Sequence, residues 1–356
     1  MQNLLEKYLT LVRDFLPEKK EKHSIGLDIG ASSCKAVEVA VKDGNCELIN
    51  WAIESYQNGG EAEAVKRVLG KLDLGQKSVY TAIPSQGTLI RYLAMPRMSQ
   101  EDLRSSFVLE ADKYFPFPKD QVYTDCFILD PKGKDSKMSV LAAAAKKEIV
   151  DQRIQFLTNI GVQTRFIGLT SIALVNAFCA LKQNDKMPDN GSSLSEATAL
   201  LDLGDTTSSL VILKDSTPRF TRYIATGGRE LNNRIANVLG ISLEKAEQIK
   251  TYPQEQLESI LAACESTLMT LVSEIRLSFD YYMTENNAQI TRLFLTGGAS
   301  LLEGVEKFFA AQLELSAERW SPLPSLKLFN SVSAEEVKKD ISKLTVALGL
   351  ALQRND

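Results

Sequence analysis

Two stretches 174 residues apart carry one signature: LDIGASSCKAVEV (27–39) and LLDLGDTTSSLVILKDS (200–216). Each is an apolar, β-branched run broken by an aspartate, then a glycine turn with paired hydroxyls, then a second such run. Asp28 falls on Asp202, Gly30 on Gly204, Ser32 on Thr206 and Ser33 on Thr207. One Asp-x-Gly is an ordinary β-turn. Two in matching context, each leading one half of the chain, define a duplicated unit.

The turns have a common chemistry. A tight turn presents backbone N–H groups to an anion, glycine permits close approach, and hydroxyls add donors. Turns facing each other from two halves would clamp a polyphosphate. Asp28 and Asp202 would repel phosphate directly, so their natural task is to hold Mg²⁺, directly or through its water shell. Lys35 adds a positive charge at the β- or γ-phosphate. A third element, RLFLTGGASLLEGVEKFF (292–309), reads as strand, glycine pair and helix, the helix capped by Ser300 with Glu303. Its Gly297, Gly298 and Ala299 would lie flat against a planar group such as a purine.

Composition removes competing classes. Forty-one basic against 45 acidic residues give a net charge of −4, so no basic excess exists for nucleic acid. His23 is the single histidine, which excludes His-based zinc sites and Ser-His-Asp catalysis. Five scattered cysteines without a CxxC pair suit reduced thiols of the cytosol. No stretch approaches 18 uninterrupted apolar residues, and the N-terminus lacks an apolar signal core. The expected location is cytoplasmic.

The chain divides accordingly. Residues 1–22 read as an amphipathic helix, with apolar groups at 4, 5, 8, 9, 12, 15 and 16, and a charged tether after Pro17. Its mixed charge favours packing on its own body or a neighbour over a membrane-surface role. Lobe 1 is expected from 23–84 with 159–190 and 340–356, and lobe 2 from 196–339. Residues 85–158 alternate helix and strand and read as an inserted α+β subdomain. Within it Ser99 and Asp102 form a capping pair, and Pro116 and Pro118 end the helix. The polar segment 184–195 reads as the linker between halves.

Two Asp-x-Gly hairpins and a late TGG loop, in this order, resemble the actin/Hsp70/sugar-kinase superfamily. Within it the chain is similar to the PilM family, actin-like type IV pilus assembly proteins related to FtsA. AIPSQGTLIRYLAMP, EADKYFPFP, GLTSIALVNAF, TGGRELNNRIA, EKAEQIK and LTVALGLAL support this, over roughly residues 24–353. The phosphate motifs are specific to the superfamily only, whereas EADKYFPFP inside this insert points to the PilM family.

The resemblance implies an α/β fold: a duplicated actin-like ATPase (ribonuclease H-like) core, two lobes around a nucleotide cleft, with an FtsA-like 1C insertion at 85–158. It implies ATP or ADP with Mg²⁺ in the cleft. Glu247 and Lys250 fall where relatives hold the ribose and adenosine; as residues alone they make an ion pair three apart on a helix. Gly227 and Gly228 match a family loop, or make only a turn. The implied partner is the short cytoplasmic tail of a PilN-like inner-membrane protein, with other pilus assembly proteins and self-association beyond it. The membrane would be reached only indirectly, through those partners. Phe115 and Phe117 are candidate wall residues for the tail, or core packing.

Hydrolysis needs a group that orients water. Relatives place Glu or Gln near the start of the helix preceding the linker, where this chain reads Gly168-Leu169-Thr170-Ser171-Ile172 and the nearest amide is Gln163 upstream. Slow or absent turnover is the expectation. A small-molecule kinase is the competing class, but no substrate base is visible. An FtsA-like division scaffold and a type II secretion GspL-like module also compete. FtsA relatives end in a membrane-targeting helix and GspL-like chains continue into a transmembrane segment, whereas these residues end in LALQRND.

Overall fold

The computed structural model describes residues 22–42, 45–57, 59–72, 75, 78–133, 136–181 and 195–353. The expected N-terminal helix and the polar linker lie outside the described residues, apart from Lys22 and Ser195. The first half contains β1 (Lys22–Ile29), β2 (Ser33–Lys42), β3 (Asn45–Ser55), α1 (Glu61–Gly70) and β4 (Ser78–Ile83). The insert follows as β5 (Thr88–Pro96), α2 (Gln100–Tyr114), β6 (Val122–Ile128), β7 (Lys137–Lys146) and α3 (Lys147–Asn159). β8 (Thr164–Leu169) and α4 (Thr170–Leu181) complete that half. The second half opens with β9 (Ser195–Leu203), β10 (Ser208–Lys214), β11 (Thr217–Ile224), α5 (Gly228–Leu239), α6 (Leu243–Thr251) and α7 (Leu257–Asn286). It ends with β12 (Ala288–Thr296), α8 (Val305–Leu313), β13 (Ser316–Arg319), β14 (Lys327–Leu328), α9 (Ala334–Asp340) and α10 (Thr345–Ala351).

The two halves repeat one topology. One sheet runs β14-β3-β2-β1-β4-β8 and the other β11-β10-β9-β12-β13. In both, three antiparallel strands come first, and two strands then join in parallel beside the first of them. The hairpin registers coincide: Asp28 stands opposite Lys35, and Asp202 opposite Ser209. The extra strand corrects the expected boundary at 340. The chain is back on the first sheet by Lys327, where β14 pairs with β3.

The lobes share a core. Val37, Val39 and Leu48 of the first sheet and Leu200, Val211 and Leu213 of the second pack with Leu174 and Phe178 of α4 and Leu348 of α10. The two helices touch through backbone: a Cβ on Gly349 would lie 1.7 Å from the Ala173 carbonyl oxygen. Gly26 is equally constrained, since its Cβ would lie 1.9 Å from the Ala347 carbonyl oxygen. Glycines thus let α10 seat directly on β1 and α4.

The insert has its own three-stranded sheet, β5-β7-β6, covered on one face by α2. Ser99 caps α2 by accepting from the Asp102 N–H at 3.1 Å, and the chain turns extended at Phe115 before the prolines. Leu103, Phe107 and Ala111 of α2 meet Cys126, Met138, Val140, Ala142 and Ala144. Phe115 belongs to this core, 6.0 Å edge-on to Phe107, so it offers no exposed wall to a partner. Phe117 is half-buried, with the Lys146 ammonium 5.9 Å from its ring centre.

Candidate functional site

Both hairpins close in the same way. The Gly30 N–H donates to the Ser33 carbonyl at 3.0 Å, and the Gly204 N–H to the Thr207 carbonyl at 3.1 Å. Side chains would interfere: a Cβ on Gly30 would sit 2.9 Å from Lys35 Nζ, and one on Gly204 2.6 Å from the Thr207 carbonyl oxygen. Tyr56 braces the first turn, its hydroxyl donating to the Gly30 carbonyl and its N–H to that of Ser32. Ser32, Ser33 and Thr207 are half-exposed and Thr206 is exposed.

The matched registers bring Asp28, Lys35 and Asp202 into one electrostatic cluster. Lys35 Nζ lies 3.2 Å from Asp28 Oδ2. Burial opposes the charge on Lys35, but Asp28 and then Asp202 outweigh it and hold the ammonium above its ordinary range. Asp202 is pushed up to about 6, first by burial and then by the Asp28 carboxylate, with Lys35 pulling the other way. Two carboxylates therefore share one ammonium across the lobes.

The glycine loops crowd against this cluster. The Gly228 N–H donates to the Gly204 carbonyl and the Arg229 N–H to that of Asp205, both at 2.8 Å. A Cβ on Gly227 would lie 2.6 Å from each of those carbonyl oxygens, so this glycine is required by packing as much as by any ligand. Gly297 adopts φ +85° and abuts Asp202, whose Oδ1 would be 2.4 Å from an added Cβ. Its N–H donates to the Ser342 carbonyl at 2.9 Å, which ties this second-lobe loop to the turn before α10. Ser300 does not cap a helix with Glu303. It sits inside a short 3₁₀ turn and donates to the Gly297 carbonyl at 2.7 Å, while α8 begins only at Val305 after Gly304 at φ +83°.

Glu247 and Lys250 lie beside the same loops. A Cβ on Gly228 would be 3.1 Å from Ala299 Cβ and 3.5 Å from Lys250 Nζ. Lys250 is 2% exposed whereas the Glu247 side chain is 52% exposed, so a buried ammonium meets a carboxylate that still reaches solvent. Its Nζ reaches Glu247 Oε2 at 2.5 Å. Burial raises the Glu247 pKa, but Lys250 and Asn232 outweigh it and hold the carboxyl below the usual range. Lys343, not anticipated from the sequence, lies across Gly298 and adds to the field on Glu247. Nothing in its own SKL context marks it; only the Gly297–Ser342 tie to the turn before α10 brings it here.

Gln163 does not reach this region. The pairing of β1, β4 and β8 sets Gly168 level with Asp28 and Thr170 just beyond. Gln163 lies five residues earlier, about 16 Å back along the strand at ~3.3 Å per residue. The Ser171 hydroxyl at the cleft end is 2.9 Å from the Tyr223 hydroxyl of β11, which Thr88 and Thr170 also engage.

The donor set fits a metal only with help. Among the described residues, no group of three or more His, Cys, Asp or Glu side chains could hold an ion. Two carboxylates flanked by N–H-lined turns suit Mg²⁺ arriving with phosphate oxygens, which supply the remaining ligands. Among the described residues, no helix is long and apolar enough to cross a membrane.

The sequence matches the type IV pilus assembly protein PilM family over residues 26–355. The structure is similar to a solved PilM–PilN type IV pilus biogenesis complex: TM-score 0.78 and 25% identity, covering 94% of this chain and 98% of that one. It also resembles the ethanolamine utilization protein EutJ from Carboxydothermus hydrogenoformans, at TM-score 0.53 and 15% identity, covering 98% and 97%. The two-lobe arrangement is the actin-like fold.

Proposed function

The chain belongs to the PilM family of type IV pilus assembly proteins, and on that premise we propose that it is a nucleotide-binding scaffold of pilus assembly. ATP or ADP with Mg²⁺ would sit between the lobes, and the short cytoplasmic tail of a PilN-like inner-membrane protein would dock on the insert. The observation that carries the first half is the Asp28–Lys35–Asp202 cluster, built by two hairpins of identical register. Without a ligand it leaves two buried or half-buried carboxylates sharing one ammonium. A Mg²⁺ ion would offset that imbalance at Asp28 and Asp202, while the polyphosphate it carries would be met by Lys35 and the turn N–H groups.

The remaining residues take complementary tasks. Lys35 would pair with phosphate, Gly297, Gly298 and Ala299 would back the base, and Glu247 would accept from the ribose hydroxyls. Mg²⁺ would neutralise phosphate charge. Thr170 and Ser171 stand where water would be oriented, but they offer hydroxyls already engaged by Tyr223. Slow or absent turnover follows, with nucleotide acting as a structural ligand that closes the lobes.

The docking half rests on the solved PilM–PilN complex and on the face of the insert sheet away from α2. Tyr123, Asp125 and Phe127 of β6 stand opposite Ala145, Ala143 and Leu141 of β7, and so share one face with them. Phe127 is 59% exposed and Tyr123 48% exposed. This aromatic rim around small apolar residues, tied to the insert's own α3 by the Tyr123–Asp151 hydrogen bond, suits a short extended tail. Attachment to the inner membrane would then be indirect, from the cytoplasm. A pulldown with the tail of a PilN-like protein, with and without ATP and Mg²⁺, tests both halves; no capture under either condition refutes the docking.

A further inference from the structure

Asn232 on α5 reaches across to α6 and donates from Nδ2 to Glu247 Oε2 at 2.6 Å. That oxygen is the one Lys250 Nζ contacts at 2.5 Å, and neither bond uses Oε1. The other end of the amide, Asn232 Oδ1, is buried and meets no hydrogen-bond partner. Burying an amide oxygen without a donor is unfavourable. Turning the amide over would be worse, since Oδ1 would then face the Glu247 carboxylate with no proton between two acceptors. The side chain is held in a costly orientation for a single contact, and that contact aims Glu247.

Lys250 cannot do this alone. It sits three residues from Glu247 on the same helix, so the pair fixes a distance but not the tilt of the carboxylate. Asn232 comes from a second helix and supplies the missing anchor. We propose that Asn232 is the positioning residue that presents the free Oε1 edge of Glu247 to the vicinal hydroxyls of a ribose, so that the site selects ribonucleotides over their 2′,3′-dideoxy counterparts. This rests on the nucleotide reading of the cleft. Lys250 and Lys343 are the charged groups that face Glu247, and both keep the carboxylate ionised and able to accept from two hydroxyls.

The test is calorimetric titration of the full chain with ATP and with 2′,3′-dideoxy-ATP, each with Mg²⁺. The native protein should prefer ATP by at least about tenfold, the lower end of one hydrogen bond to a charged acceptor. Asn232→Ala should lose most of that preference by weakening ATP binding alone, leaving dideoxy-ATP within about twofold of native. Asn232→Asp keeps the shape but sets two carboxylates together; it should lose the preference at pH 7.5 and regain part of it near pH 5, where the pair takes up a proton. A merely structural role would weaken both ligands equally and show no recovery at low pH. Equal loss for both ligands, or full preference retained in Asn232→Ala, overturns the assignment. If the native protein binds both nucleotides equally, the ribose role of Glu247 and this assignment fall together. If it binds neither, the nucleotide reading itself fails.

Discussion

Lys35 and Ser209 occupy equivalent places in the two hairpins, each directly opposite the aspartate of its own turn. The first lobe therefore supplies its aspartate with an ammonium, and the second supplies a hydroxyl. Asp202 has to borrow Lys35 across the cleft, with Asp28 competing for the same charge. This asymmetry inside a duplicated unit explains why burial and Asp28 win at Asp202, whose pKa rises to about 6 from 3.8.

Asp202 should make the ligand-free protein less stable as pH rises. A folded-state pKa above the unfolded value means that the folded chain holds the proton more tightly. The stabilisation is complete below about pH 3.8 and lost as pH passes through about 6. At pH 7.5 the ionised group costs about 2–3 kcal/mol, a tenfold change in proton affinity being worth ~1.4 kcal/mol. Asp202→Asn should raise ligand-free stability by that amount at pH 7.5, change it little near pH 4, and abolish the Mg²⁺-dependent stabilisation by nucleotide. Denaturant unfolding at the two pH values measures it; a pH-independent difference would count against the cluster.

Replacing Lys35 should weaken both the fold and nucleotide binding. The ammonium is largely buried and pairs with Asp28, so Lys35→Ala leaves Asp28 and Asp202 facing each other uncompensated. Loss of one charged hydrogen bond to phosphate is worth about 1.5–3 kcal/mol, or roughly ten- to a hundredfold in Kd. Titration with a fluorescent ATP analogue in Mg²⁺ reads this directly. Unchanged affinity would remove Lys35 from the phosphate site.

The turns were legible in the sequence because hairpin chemistry is local: Asp28, Gly30 and Ser32 announce a strand, a close backbone approach and donors within five residues. Matching Asp202, Gly204 and Thr206 then implies a second sheet of the same topology, and both sheets are present. The ends of long-range contacts were not legible. β14 pairs with β3 through two residues, too few to carry a strand pattern, so the return to the first lobe at Lys327 is invisible beforehand. Ser300 and Glu303 have capping-box spacing, yet the tie of Gly297 to Ser342 pulls this stretch into a 3₁₀ turn and delays the helix. Lys343 becomes a neighbour of Glu247 only through packing between elements far apart in the chain, and Asn232 only through the way two consecutive helices, α5 and α6, pack on each other.

Gly349 and Gly70 should respond oppositely to alanine. A methyl group at Gly349 would overlap the Ala173 carbonyl where α10 crosses α4, and no flexible side chain can yield. Overpacking at a backbone contact costs about 1–3 kcal/mol or more. An added Cβ on Gly70, at the end of α1, meets nothing within 4 Å. Gly70→Ala should gain about 0.5–1 kcal/mol from reduced backbone freedom. Thermal unfolding of the two variants compares them; equal tolerance at both sites would mean that the helix crossing is looser than the Gly349–Ala173 approach requires.

Steady-state phosphate release should remain at background. Thr170 and Ser171 open α4 just past the strand end level with Asp28 and are both tied to Tyr223, while Gln163 precedes the far end of β8. A working ATPase turns over at roughly 1 s⁻¹ or faster. A Mg²⁺-dependent rate of that order, abolished by Asp202→Asn, would require a water-orienting group that these residues do not provide.

Two aromatic substitutions in the insert should separate folding from docking. Phe115 is 4% exposed and packs edge-on against Phe107, so Phe115→Ala should cost about 3–5 kcal/mol and loosen the whole insert. Phe127 is 59% exposed on the opposite face of the sheet, so Phe127→Ala should leave stability nearly unchanged. If the tail docks on that outer face, Phe127→Ala should weaken its binding at least about tenfold, because an aromatic side chain that packs on a short tail carries ~1.4 kcal/mol or more. Nucleotide affinity should be untouched, since the insert sheet contributes no residue to the Asp28–Asp202 cluster. Titrating the tail peptide into both variants alongside thermal unfolding resolves the two effects. Full tail affinity in Phe127→Ala would move the docking surface off this face.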